Sequence, residues 1–178
     1  MDTVLCDKIV TVNRAVPVWT NVFLLIPSVL ALTQTNQPML VRFGILGVIV
    51  SVVSALHHVY QMEPKSLCKS QRLPNTTIVA RSFTILDCIF AIIWGVAAVY
   101  LIVTAPAAPA VKASAAAMLV LGAAMFGLAR QHARKTAKED RNSSSERAAV
   151  LANNMKFDLY HGFWHAAMGT VVFLMTRG

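Results

Sequence analysis

The sequence predicts an all-α integral membrane bundle of about five transmembrane helices in a single domain spanning residues 1–178. Three observations carry this reading. Hydrophobic residues make up 56% of the chain and charged residues only 13%, about half the charged share of an average soluble domain. The apolar residues fall in long blocks rather than at amphipathic spacing. The cations crowd into the connections between those blocks, as they do where charge fixes orientation in a bilayer.

The first block covers about residues 16–32. Lys8 and Arg14 precede it as they would a signal peptide, but its length, Pro17 and Pro27 favour a retained helix. The second block covers about 40–60 and the third about 82–103. The segment Ala105-Pro106-Ala107-Ala108-Pro109 then breaks the chain before a fourth block at about 113–129. The fifth covers about 159–175. At 1.5 Å per residue, such blocks cross a hydrocarbon core of about 30 Å, the shorter ones only just.

Five spans place the N-terminus, the Gln61–Arg81 connection and the Arg130–Lys156 connection on one side. That side then carries thirteen Lys and Arg against three on the other, which predicts the N-terminus inside and the C-terminus outside. The sequons at Asn75 and Asn142 fall on the inside, where they are not glycosylated. The second connection is expected to extend the fourth helix and to break at the Asn-Ser-Ser-Ser stretch from Asn142. The net charge of +8 is absorbed by this topology, with contact to anionic headgroups as a secondary role, so nucleic acid is not an expected partner. Cys6, Cys68 and Cys88 are odd in number and form no CxxC pair, which argues against a disulfide framework and against thiolate zinc.

Four of the five histidines lie in the apolar blocks: His57, His58, His161 and His165. Asp87 is the one acidic residue well inside a block. Ionisable groups cost several kcal/mol in hydrocarbon unless paired, hydrated or metal-bound, so they mark function there. Ser54 and His58 are four residues apart, as are His161 and His165, and that spacing puts each pair on one helix face. Two imidazoles one turn apart suit one metal ion. Measured from Arg81, Lys65 and Lys156, residues Asp87, His58, His161 and His165 all lie roughly 7 to 14 Å inside the same cationic boundary. Three imidazoles with an open position match a catalytic zinc, with Asp87 and Ser54 as catalytic candidates. A bundle can also satisfy such residues without metal, by hydrogen bonds between helices, or from Ser54 to the carbonyl one turn back. His57, three residues from Ser54, remains an alternative to His58. The tryptophans Trp19, Trp94 and Trp164 read as packing or interface aromatics. The small residues Ala115–Ala117, Gly122–Ala124 and Gly127 read as a close-packing face, with a homo-oligomer as a second use.

The ordered strings Ser54-Ala-Leu-His-His58-Val-Tyr, Leu86-Asp87-Cys88 followed by Trp94, and His161-Gly-Phe-Trp-His165-Ala-Ala resemble the superfamily of alkaline ceramidases, progestin and adipoQ receptors and myomaker-like proteins. The last string is most similar to the myomaker branch. The resemblance implies zinc held by His58, His161 and His165, with Asp87 and Ser54 beside a zinc-bound water. In the enzyme branches it implies hydrolysis of a lipid amide or related bond. The family norm is seven spans; five would retain every motif but lose part of the wall around a lipid. Three functions follow: a zinc-dependent hydrolase using membrane lipid as substrate, a non-enzymatic remodelling or receptor-like protein with structural zinc, or a bis-histidine haem protein.

Overall fold

The computed structural model describes residues 3–60, 78–138 and 144–178, all helical apart from short connections. The helices are α1 (Thr3–Leu32), α2 (Pro38–Tyr60), α3 (Ile78–Thr104), α4 (Pro109–Lys138) and α5 (Ser144–Arg177). Each apolar block lies inside one of them. Three run well past their blocks: α1 begins far ahead of Val16, α4 continues through the cationic run, and α5 starts well before Leu159. The sequons at Asn75 and Asn142, most of the Gln61–Arg81 connection and the start of the Asn142 break lie outside the described residues.

Local chemistry sets several of these ends. Pro38 and Pro109 each occupy the first helical position, where the missing N–H is not needed. Helix α3 stops at Thr104, and Ala105 precedes Pro106, whose ring disfavours helical backbone in the residue before it. Helix α1 ends in a tightened turn in which Thr33 donates to the Leu30 carbonyl through its backbone N–H at 3.1 Å and its hydroxyl at 2.8 Å.

Among the described residues, three helices are long and apolar enough to cross a membrane by length and composition: Pro38–Val59, Ser82–Thr104 and Pro109–His132. The expected five are therefore three by this measure. Helix α1 offers a shorter apolar stretch, Val16–Leu32, and α5 carries Asp158, His161 and His165 in its middle. Those three polar residues are buried, so their polarity faces the bundle and not its surroundings. The outer surface is the reverse of a soluble protein's: Ile92, Val96 and Val103 of α3 and Val120 of α4 are each about two-thirds or more exposed.

The helices pack in the order α3, α2, α1, α5, α4, with α3 touching α4 only lightly and α2 meeting α5 at a few positions. Glycines bring the neighbours close. A Cβ on Gly169 of α5 would run into the Phe23 carbonyl of α1. That carbonyl is the one Pro27 cannot serve, because proline has no N–H to give the residue four back. Gly169 therefore admits a backbone group that proline set loose, and its Cα–H can partly compensate that oxygen. Gly44 and Gly47 of α2 receive Ser28 in the same manner. Of the expected small-residue face, Gly122 packs on Ala167 and Trp164 and Ala115 is buried, whereas Ala123, Ala124 and Gly127 are exposed. Trp94 and Trp164 are core residues, and Trp19 is exposed.

Replacing Gly169 with Ala is expected to lower the thermal stability of the detergent-solubilised protein, by about 1–3 kcal/mol if the clash is relieved by helix displacement. Gly95→Ala, where nothing lies within 4 Å of the added methyl, should be neutral or stabilising through helix propensity. Thermal unfolding followed by circular dichroism compares the two.

Candidate metal centre

Helices α2 and α5 meet at few backbone positions, and the gap between them is bridged by side chains. Ser54 and His58 project from α2 at i and i+4, and His161 and His165 from α5 at the same spacing. All four are buried, the histidines to 3%, 5% and 2% exposure. One ligating nitrogen from each of His58, His161 and His165 lies within 4.8 Å of the others, so the three could hold a metal ion. The Nε2 atoms of His58 and His161 are 3.1 Å apart. Two nitrogens on a tetrahedral zinc at 2.0–2.1 Å are about 3.3 Å apart. The observed spacing suits that edge, and it equally suits an N–H···N hydrogen bond between neutral rings.

The rings meet edge to face. His161 stands 4.7 Å from His58 and 4.7 Å from His165, at 76° and 89°, and His58 stands 5.7 Å from His165. Two axial haem ligands must face each other across a macrocycle, and rings in this contact leave no slot for one. The arrangement therefore argues against the haem reading. Aromatic side chains wall the cluster: Phe157 stacks on His161 at 5.2 Å, and Phe126 lies 5.9 Å from His161 and 5.5 Å from Trp164. Such a wall excludes water and holds the imidazoles in place.

His165 is held at both nitrogens. Its Nε2 is 3.2 Å from the Ser54 hydroxyl and its Nδ1 is 3.0 Å from the Thr20 hydroxyl of α1. The back-bonding expected as an alternative for Ser54 is what Ser51 does, donating to the Gly47 carbonyl at 2.8 Å; Ser54 instead reaches across the bundle. His57 turns to α3, its Nδ1 3.2 Å from the Thr84 hydroxyl, and stacks obliquely beside His58 at 4.9 Å. Of the two adjacent histidines, it is His58 that joins the cluster. The fifth, His132, stacks on Tyr160 at 5.6 Å, away from it.

Asp87 of α3 is half-buried and lines a cavity with Ser54, Cys88, His161, Trp164 and His165. Ser54 lies near enough to interact with its carboxylate. The cavity measures about 10 Å³, close to the least volume that admits one water. Ser54, Asp87, His161 and His165 thus border one small space, and His58 joins the two α5 histidines in the cluster beside it.

Two polar residues of this region, Thr20 and the buried Asp158, carried no signal in the sequence pattern. Thr20 is an isolated hydroxyl three positions after Pro17. Asp158, buried to 7% exposure, sits one turn before His161, just outside the apolar block, where a surface position was the natural expectation. Comparison with known protein families, with curated proteins and with solved structures finds no match for this chain.

His58→Ala is expected to reduce bound metal from about one ion per chain to near zero, whereas His57→Ala should retain it. Elemental analysis of the two variants, purified without chelators or a histidine tag, makes the comparison.

Proposed function

We propose that this chain is a zinc-dependent membrane hydrolase that cleaves a lipid amide or ester. The observation that carries the reading is a cluster of three buried imidazoles, two of which, His161 and His165, share one water-sized cavity with the Asp87 carboxylate and the Ser54 hydroxyl. His58, His161 and His165 would hold the metal as three neutral nitrogen donors with a position left open, a donor set that suits zinc. Zinc held there supplies Lewis acidity, lowering the pKa of water and polarising a carbonyl. The chain's own residues supply the rest. Asp87 faces the cavity and serves as the base that takes a proton from water and passes it to the leaving group. Ser54 can turn its hydroxyl to the developing oxyanion. Phe126, Phe157 and Trp164 keep bulk water away, which strengthens each of these interactions.

In this reading all five helices cross the bilayer, with the N-terminus on the cationic side. The apolar outer face would meet lipid directly, and a homo-oligomer could form through Ala123, Ala124 and Gly127. The likeness to alkaline ceramidases and myomaker-like proteins agrees with this chemistry and rests on the motif residues alone.

One observation favours a second reading. A cavity of about 10 Å³ has no room for an acyl chain, and five helices enclose less than seven. The same ion would then tie α2 to α5 and stabilise a non-enzymatic remodelling or receptor-like protein.

Turnover separates the two. Zinc-loaded protein in mixed micelles should hydrolyse ceramide-type amides or glycerolipid esters, and Asp87→Asn should lower the rate by about 10²–10⁴-fold with zinc content unchanged. Full activity in Asp87→Asn would contradict the assigned base. Zinc retention without turnover on either lipid class would favour the structural role.

A further inference from the structure

We propose that Thr20 is a positioning residue that fixes the tautomer of His165, placing its ring proton on Nδ1 and its lone pair on Nε2. The inference deepens the metal-centre reading and rests on it for its functional meaning; the tautomer itself is testable without metal.

The geometry supplies the reason. The Thr20 hydroxyl lies 3.2 Å from the Pro17 carbonyl and 3.0 Å from His165 Nδ1. A carbonyl oxygen only accepts, so in the first contact Thr20 must donate. The hydroxyl has one proton. Once that proton points to Pro17, Thr20 can only accept from Nδ1, which must then carry hydrogen. In the opposite tautomer the hydroxyl would have to turn its proton to Nδ1 and abandon the carbonyl. Only one proton arrangement uses both contacts. It leaves Nε2 as an acceptor for the Ser54 hydroxyl 3.2 Å away, whose single proton then goes to the ring and not to the neighbouring Asp87 carboxylate.

The surroundings hold this chain of bonds in place. The Pro17 carbonyl also accepts from the Asn21 side-chain amide at 2.7 Å, so it is anchored to buried polar groups on its own helix. Opposite, Gly162 of α5 makes room for the threonine. A Cβ there would stand 3.1 Å from Thr20 Cγ2 and 3.4 Å from Thr20 Oγ1. The glycine beside His161 is thus what lets α1 bring a hydroxyl up to the ring one turn further along α5.

A histidine that ligates a metal through one nitrogen commonly donates from the other to an outer partner, which sets ring orientation and basicity. In this chain the Thr20 hydroxyl fills that place for His165 together with the Pro17 carbonyl, which also reaches the ring. Ser54 then has two states. With Nε2 bare it is tied to the ring; were Nε2 to hold an ion, the Ser54 proton would be free to turn to Asp87. Thr20 sets up both by keeping Nε2 available.

The test uses the full chain in detergent micelles with ¹⁵N-labelled histidine, the His165 signals being assigned by their loss in His165→Ala. Metal-stripped wild type should show a protonated Nδ1 and a bare Nε2 at His165. Thr20→Val should lose that preference and weaken zinc binding by about 10–100-fold in competition with a chromogenic chelator. Thr20→Ser, which keeps the hydroxyl, should restore both. A hydrogen on Nε2 in wild type would overturn the proposal, as would Thr20→Val binding zinc as tightly as wild type. If Thr20→Val does not fold, the wild-type tautomer and the Thr20→Ser affinity decide. Failure of the wild type to bind zinc would defeat the metal-centre reading, while the ¹⁵N signals still decide the role of Thr20.

Discussion

A buried imidazole needs both ring nitrogens engaged, because an unmet polar group in an apolar interior costs several kcal/mol. Three of them in edge contact raise that demand together, and much of the helix packing serves it. His58 and His161 meet each other, and His165 is clasped by Thr20 and Ser54. Neutral rings can meet the demand by sharing protons. They meet it more fully around a cation, where each nitrogen lone pair has a partner at a fixed distance. Hydrogen bonds engage both nitrogens of His165, and the three rings together could hold a metal ion.

Bringing those rings together takes helices that approach more closely than ordinary side chains allow. Gly162 and Gly169 stand on α5, seven residues or two turns apart, and both face α1. One receives Thr20 and the other the carbonyl that Pro27 leaves without a donor. Gly44 and Gly47 do the same for α2 against α1. Helix α1 is thus gripped between the two helices that carry the histidines, and it sets their separation. A membrane bundle gains little from hydrophobic association between its own helices, so small-residue contact of this type is the expected means of holding it.

The metal-ligand candidates were legible because the relevant physics is local. Spacing of i and i+4 fixes a helix face, and distance from the cationic boundary fixes depth, so His58, His161, His165 and Asp87 could be placed at one level before any packing was known. What could not be read is what depends on contact between distant segments. Thr20 is a lone threonine among apolar residues until α1 lies against α5. Asp158 sits at the edge of an apolar block that α5 overruns by several turns, and its burial follows from packing. The choice between His57 and His58 turns on helix rotation: His57 faces Thr84 and His58 faces the cluster. The span count illustrates the opposite limit. Apolar length marks α2, α3 and α4, but α5 carries two of the three clustered histidines, and its polar groups are what dilute its hydropathy.

His58, His161 and His165, with no other side chain, are the assigned ligands of the proposed metal centre. Zinc K-edge X-ray absorption on the purified, zinc-loaded chain tests it most directly. A first shell of three imidazole nitrogens with one further light atom, at about 2.0–2.1 Å, and no sulfur is the expected result. A sulfur neighbour at about 2.3 Å would bring Cys88 or another thiol into the site and contradict the assigned ligand set, and a shell of oxygen alone would show zinc bound elsewhere and remove the centre altogether.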